Sequence, residues 1–413
     1  MHRFLISWIG FFVLLSPAVC VSEPTSRDSF KWEGTKITEF IGKETEVVIP
    51  DGTTVIGECA FAGSESLKSV VIPGSVAEIE DDAFSDCSSL TSLTISKGVK
   101  KIGRGAFIGC DSLTSVVIPD SVTEIGDASF AGLESLKSVV IPGSVTEMER
   151  YVFMGCCSLT SVTIHEGLKK IGESAFDECE NLSSIVIPES VTEIGECAFR
   201  GCESLKSVVI PKNVTVIGEA AFIGCSSLKS IAIPESVTKI GEYAFSGCSS
   251  LTSFTIPPKV TVIEDSVFME CTSLKSVTIP EGVTRIGMGA FEECESLTSI
   301  VIPKGVEEIM CGVFQDCKAL KTVVIPEGVK EIWFEAFKGC ISLTSIVIPE
   351  GVEMLESGLF KGCKALKTVV VPGSVEDIFD DTFEGCPNVT IHAPAGSEAE
   401  NFAKEKKIPF QAK

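Results

Sequence analysis

Apolar side chains return along this chain at a fixed interval. Phe61, Phe84, Phe107 and Phe130 begin a series that continues through Phe199, Phe222 and Phe245 to Phe383. It holds fifteen phenylalanines at steps of 23 residues, with no insertion or deletion. Six residues after each one stands Leu (Leu67, Leu90, Leu113, on to Leu366), replaced by Val389 in the last unit. Three residues further comes an apolar side chain such as Val70, Val208 or Phe254, then Ile72 or Ile210 two beyond it, and usually a proline such as Pro73 or Pro211. This segment alternates and is rich in β-branched residues, so it predicts a short strand. The proline ends the strand because it has no N–H to give to a ladder. The rest of the unit, "SVTEIGECAF" at 190–199, carries apolar Val191, Ile194, Ala198 and Phe199. Its spacing predicts an irregular arc or short strand, then a tight helical turn around Ala-Phe. Gly57, Gly103, Gly126, Gly195 and Gly241 precede their phenylalanines by four residues, where a backbone turn is expected.

One such unit cannot bury its Leu, Val, Ile and Phe alone, whereas stacked units can, so the expected architecture is a solenoid whose strands form one long parallel sheet. At about 4.8 Å per strand, fifteen coils extend roughly 70 Å. The expected division is a signal peptide at 1–20, an N-terminal cap at 21–49, the solenoid at 50–394 and a C-terminal cap at 395–413. Within the last, Ser397–Lys407 opens on a serine and places Ala399, Phe402 and Ala403 at helical spacing, which predicts a capping helix and then an extended end.

The unit C-x-x-L-x-x-V-x-I-P-x-x-V-x-x-I-G-x-x-A-F-x-x resembles the leucine-rich repeat of the BspA type, also called the Treponema pallidum type. The resemblance covers about Pro50 to Pro394. It implies a right-handed leucine-rich-repeat solenoid of the α/β horseshoe class, dominated by β-structure, at the cell surface or outside the cell. It also implies adhesion or the binding of host proteins, and brings no catalytic residues to carry over.

The charge balance narrows the partners. Asp and Glu number 57 against 34 Lys and Arg, giving a formal charge of −23. That disfavours nucleic acid and anionic lipid surfaces. At the N-terminus Arg3 precedes an apolar block, Phe4–Leu15, and small residues at Ala18 and Cys20, the pattern of a secretory signal. The block is short for a membrane span, and Val19 argues against acylation of Cys20.

The chain has 18 cysteines and 3 histidines. Thirteen of the cysteines, from Cys87 to Cys386, stand three residues after a Phe of the series; Ser64 and Leu133 are the two exceptions. Stacked identical positions point their side chains in parallel, and Leu133 shows that an apolar group is accepted. A ladder of buried thiols is therefore favoured over scattered disulfides, and both over metal or redox chemistry. Cys59, Cys157, Cys197 and Cys311 lie off this column and are expected at the surface. Only His165 and His392 follow the signal segment, far apart in repeat order, so no zinc site or Ser-His-Asp set is supported. No cofactor and no enzymatic activity are expected.

The outward strand positions form the candidate binding surface. Lys68 and Ser69, Lys137 and Ser138, and Lys206 and Ser207 with Val209 recur in phase. Lys229 and Ser230, then Lys275 and Ser276, continue the columns. The plain alternative is that Ser and Thr merely suit a solvated sheet. Late in the chain the glycine column becomes Met310, Trp333, Glu356 and Phe379, with Phe334 beside Trp333. This apolar patch is either a contact site or the seat of the C-terminal cap. Asn181, Asn213 and Asn388 lie in glycosylation sequons. The leading expectation is a secreted or cell-surface protein that binds a protein or glycan, on a host or neighbouring cell, through its repeat sheet. A structural, self-assembling surface protein is the alternative.

Overall fold

In the computed structural model the described residues are 23–413; the expected signal at 1–20, with Cys20, lies outside them. Each unit forms one coil, and each coil gives one strand to a parallel ladder on one side. The register follows the sequence period: Ser69 pairs with Ser92, Ser138 with Ser161, Ser184 with Ser207 and Ser253 with Ser276. Ladder pairing is interrupted in places, so the long sheet runs as consecutive segments. Around Ala232 it thins to a single bridge with Val209.

The arc after the proline contributes a second parallel ladder of two-residue strands. Glu78–Ile79 pairs with Lys101–Ile102, Glu193–Ile194 with Val216–Ile217, and Glu308–Ile309 with Glu331–Ile332. The isoleucines of this ladder, such as Ile79, Ile194 and Ile217, are buried, while its charged partners face outward.

The third side departs from the expected helical turn. From Phe61 to Phe360, two residues flanking each Phe of the series adopt left-handed backbone, as at Cys197 (φ 51°) and Gly201 (φ 67°) around Phe199. This points N–H groups toward the following coil. Cys197 donates to the Glu219 carbonyl at 2.8 Å, Phe199 to Ala221 at 2.8 Å and Gly201 to Ile223 at 2.9 Å. The turn is thus a hydrogen-bonded seam between coils, which a right-handed helical turn bonded within itself could not supply. The strain at non-glycine residues such as Cys197 is offset by bonds repeated coil after coil.

The glycine column also has another cause than the expected turn. Gly195 and Gly241 are not left-handed. A Cβ on Gly241 would stand 2.4 Å from the Glu219 nitrogen and 2.7 Å from its Cα. These glycines are there because neighbouring coils approach closely.

Between the three sides the phenylalanines stack face to face. Phe84 and Phe107 have ring centroids 5.2 Å apart with 5° between planes, and Phe222 and Phe245 are 5.5 Å apart at 1°. The column begins on Phe40, 5.0 Å from Phe61, with Phe30 beside it. It closes on Phe402, 6.0 Å from Phe383. The leucines at 67, 90, 113 and onward are fully buried around it.

At the N-terminal end Phe30–Glu33 and Lys36–Phe40 form an antiparallel hairpin whose second strand pairs with Val55–Ile56. Glu46–Val48 then pairs with the strand starting at Ser69. These residues make a further partial coil ahead of the fifteen. At the other end Glu398–Lys406 is the single α-helix among the described residues, with Ser397 as its N-cap and Ala399, Phe402 and Ala403 inward. The chain then returns as Phe410–Ala412, parallel to Thr390–Ala393, and adds a last strand to the sheet.

Candidate binding face

Strand alternation sets what the sheet presents. In Ser207–Val209 the middle residue Val208 is buried and its neighbours are exposed. The same pattern holds at Ser138–Ile141 and Ser161–Ile164, where period-two packing turns alternate residues outward. Lys68, Lys137, Lys206, Lys229 and Lys275 are exposed at the start of their strands. Ser138, Ser207, Ser230 and Ser276 are exposed beside them, and Ser69 is half-buried. Val209 is 68% exposed, and Val117, Val186 and Val301 are alike. Six bare β-branched side chains in one column (Val117, Val186, Val209, Val301, Val324 and Val347) are more than solvation of a sheet requires. Some hydroxyls on this face are already engaged: Thr91 donates to the Lys68 carbonyl at 3.1 Å and Thr160 to that of Lys137 at 3.1 Å.

Charge is distributed unevenly around the coil. From the coil of Phe61 to that of Phe360, the three outward strand positions hold Lys, Ser, Thr, Val or Ala, and no Asp or Glu. The second ladder carries the acids, partly matched by cations one coil away. Lys101 lies 3.0 Å from Glu78, Arg150 2.8 Å from Asp127, Lys170 2.7 Å from Glu193 and Lys330 3.1 Å from Glu307. Among the described residues, the sheet-face lysines, including Lys321 and Lys367, form no ion pair.

Trp333 and Phe334 do not join this face. They follow Glu331–Ile332, a strand of the second ladder. Trp333 borders a shallow groove of about 360 Å³ with Ile332, Met354 and Glu356. Trp333 is 37% and Phe334 45% exposed, and Phe379, two coils further on, is 40% exposed. The cap helix instead seats Phe402 against Phe383 and places Lys406 2.6 Å from Asp380.

The thirteen in-phase thiols donate to main-chain carbonyls, as Cys202 does to Phe176 at 3.2 Å and Cys225 to Phe199 at 3.2 Å. All described cysteines are free. Of the four off the column, Cys59 is exposed but Cys157, Cys197 and Cys311 are half-buried, because their positions tuck against the adjoining coil. Burial raises the pKa of Cys197 and Cys311 above the ordinary value, which lowers their reactivity. Among the described residues, no group of three His, Cys, Asp or Glu is placed to hold a metal ion, and no helix is long and apolar enough to cross a membrane.

The model of the BspA type leucine-rich repeat region matches residues 39–156, 146–275 and 261–390. The chain belongs to the BspA-type leucine-rich repeat family. Solved structures of leucine-rich repeat proteins are similar to it. A leucine-rich repeat protein from Bacteroides ovatus is 27% identical, with a TM-score of 0.71, over 92% of this chain and 94% of that one. A leucine-rich cell-surface protein from Faecalibacterium prausnitzii is 30% identical, with a TM-score of 0.49, over 92% and 97%. The leucine-rich repeat protein of T. pallidum is 23% identical, with a TM-score of 0.33, over 67% and 91%. No curated protein matches the sequence.

Proposed function

We propose that this BspA-type protein is a non-enzymatic binding protein, secreted or held at the cell surface, that recognises a protein or glycan through the exposed face of its sheet. The observation that carries this is the run of exposed, in-register Lys, Ser and Val positions, Val209 among them, on a rigid repeated scaffold. Solenoids use such continuous faces for binding. The apolar block Phe4–Leu15 after Arg3 supports export, with residues 1–20 as its signal.

The test is an array of glycans and surface proteins probed with the purified protein and with a face-blocked variant carrying Ser138→Tyr, Ser207→Tyr and Ser276→Tyr. Tyrosine suits an exposed strand, so the fold is retained. A partner bound by the parent and lost in the variant is expected. A partner kept equally by both sets aside the sheet face, and ordered self-assembly with no partner favours a structural role.

A further inference from the structure

The sheet face has a direction in its charge. Lys229, Lys275, Lys321 and Lys367 each follow the previous one by two coils, which is about 10 Å along the sheet. All four are exposed. The turn that leads into these strands adds Lys318 and Lys364, both exposed. In the earlier coils the same turn position holds Glu65, Asp111, Glu134, Glu180 and Glu203. From the coil of Phe222 onward it holds Ser226, Ser249 and Thr272, and its remaining acid, Glu295, lies 2.6 Å from Lys318. Lys68, Lys137 and Lys206 occupy the same column in the earlier coils, each three residues after one of those acids, whereas Lys229, Lys275, Lys321 and Lys367 follow Ser226, Thr272, Lys318 and Lys364, in a molecule whose formal charge is −23.

Resting on the binding role of this face, we propose that the border from Lys229 to Lys367 is a track for a linear anionic polysaccharide. Three features select that chemistry. The ammonium groups repeat at a constant interval, which suits a ligand whose own charges repeat, as a polysaccharide's do and a protein segment's do not. Serine hydroxyls in register, Ser253 with Ser276, stand beside them as partners for sugar hydroxyls. Beyond the prolines the opposite border is mixed, with Glu235, Glu281, Glu327 and Glu350 interspersed with Lys259 and Lys304, six or seven residues from the lysine column and so roughly 20 Å across the sheet. A single narrow polyanion fits along the basic border, whereas a duplex broad enough to cover both borders meets those carboxylates.

The experiment measures retention on immobilised heparin, used as a defined sulfated polysaccharide. The parent is expected to bind, and to bind more weakly as salt rises from roughly 50 to 200 mM. The variant with Lys229→Glu, Lys275→Glu, Lys321→Glu and Lys367→Glu is expected to lose affinity by about tenfold or more. A control with the same charge change at Lys97, Lys212, Lys259 and Lys304, on the opposite border, is expected to keep it. Circular dichroism of both variants confirms the fold. Absence of retention, equal loss in the control, or better competition by polyglutamate or duplex DNA than by soluble heparin overturns the proposal. If heparin fails while another partner is lost in the tyrosine-blocked variant, the polysaccharide track is wrong and the face reading stands.

Discussion

The thiol of Cys202 donates to the main-chain carbonyl of Phe176, 26 residues back, at 3.2 Å. The bond joins the cysteine column to the phenylalanine column of the coil before it, and it recurs from Cys87 to Phe61 through Cys386 to Phe360. Cys202→Ala should cost roughly 1–2 kcal/mol in urea unfolding, from lost packing and an orphaned carbonyl. In native protein an alkylating reagent should reach Cys59 first and leave the column unlabelled. After denaturation without reductant, nearly all 17 described thiols should react. Recovery of fewer than half would overturn the free-thiol ladder.

Burial gives the column a pH signature. It pushes the thiols from Cys156 to Cys340 upward, to about 12 at Cys156 and Cys248, from an ordinary 9.0. Below pH 9 both folded and unfolded chains keep these protons, so the column contributes in full. Above it the unfolded chain releases protons that the folded chain retains, and stability falls as pH rises from about 9 toward 12. Thermal melts should therefore hold steady from neutrality to pH 9 and then fall steeply. A flat profile to pH 11 would count against the buried thiols.

Gly172, Gly195, Gly218 and Gly241 follow one another in four successive coils, each close against backbone of the preceding coil. Gly241→Ala must push coils apart or shift their backbone, and should destabilise by about 1–3 kcal/mol. Gly373→Ala, whose added carbon meets nothing nearer than Pro394 at 3.6 Å, should be neutral or mildly stabilising. Equal effects in chemical unfolding would refute close approach as the reason for the glycines.

Ser129 stands just before Phe130, where most coils have alanine, and its hydroxyl is fully buried without a hydrogen-bond partner. Ser129→Ala should raise stability by about 1 kcal/mol, read as a higher urea midpoint at unchanged slope. A loss of stability would mean that the hydroxyl has a partner in solution.

The sequence displayed the columns because each needs one chemical type: an aromatic at Phe199, a branched aliphatic at Leu205 and Ile210, a small apolar thiol at Cys202. It hid the left-handed residue before each Phe, since Cys197, Ala220, Tyr243 and Glu335 share that backbone but no composition. What fixes them is a hydrogen bond to the next coil, which no local residue preference encodes. The glycine column misled for a related reason, because its constraint comes from a neighbour 23 residues away. On the exposed sheet face, the outward placement of Lys206, Ser207 and Val209 was legible from alternation alone. Trp333 already stood apart from them in the glycine column; what the sequence did not show is which side of the coil each ladder occupies.

One interface, repeated, also makes length a free variable. Phe199 meets Phe222 at 5.2 Å much as Phe222 meets Phe245 at 5.5 Å. Removing the 23 residues between equivalent points of two coils would bring together surfaces already made for each other. Unequal exchange between repeats in the gene can therefore lengthen or shorten this molecule by whole coils without inventing a contact. Each such event would reset the spacing of the lysines on the sheet, so the extent of that exposed face can evolve while the fold stands still.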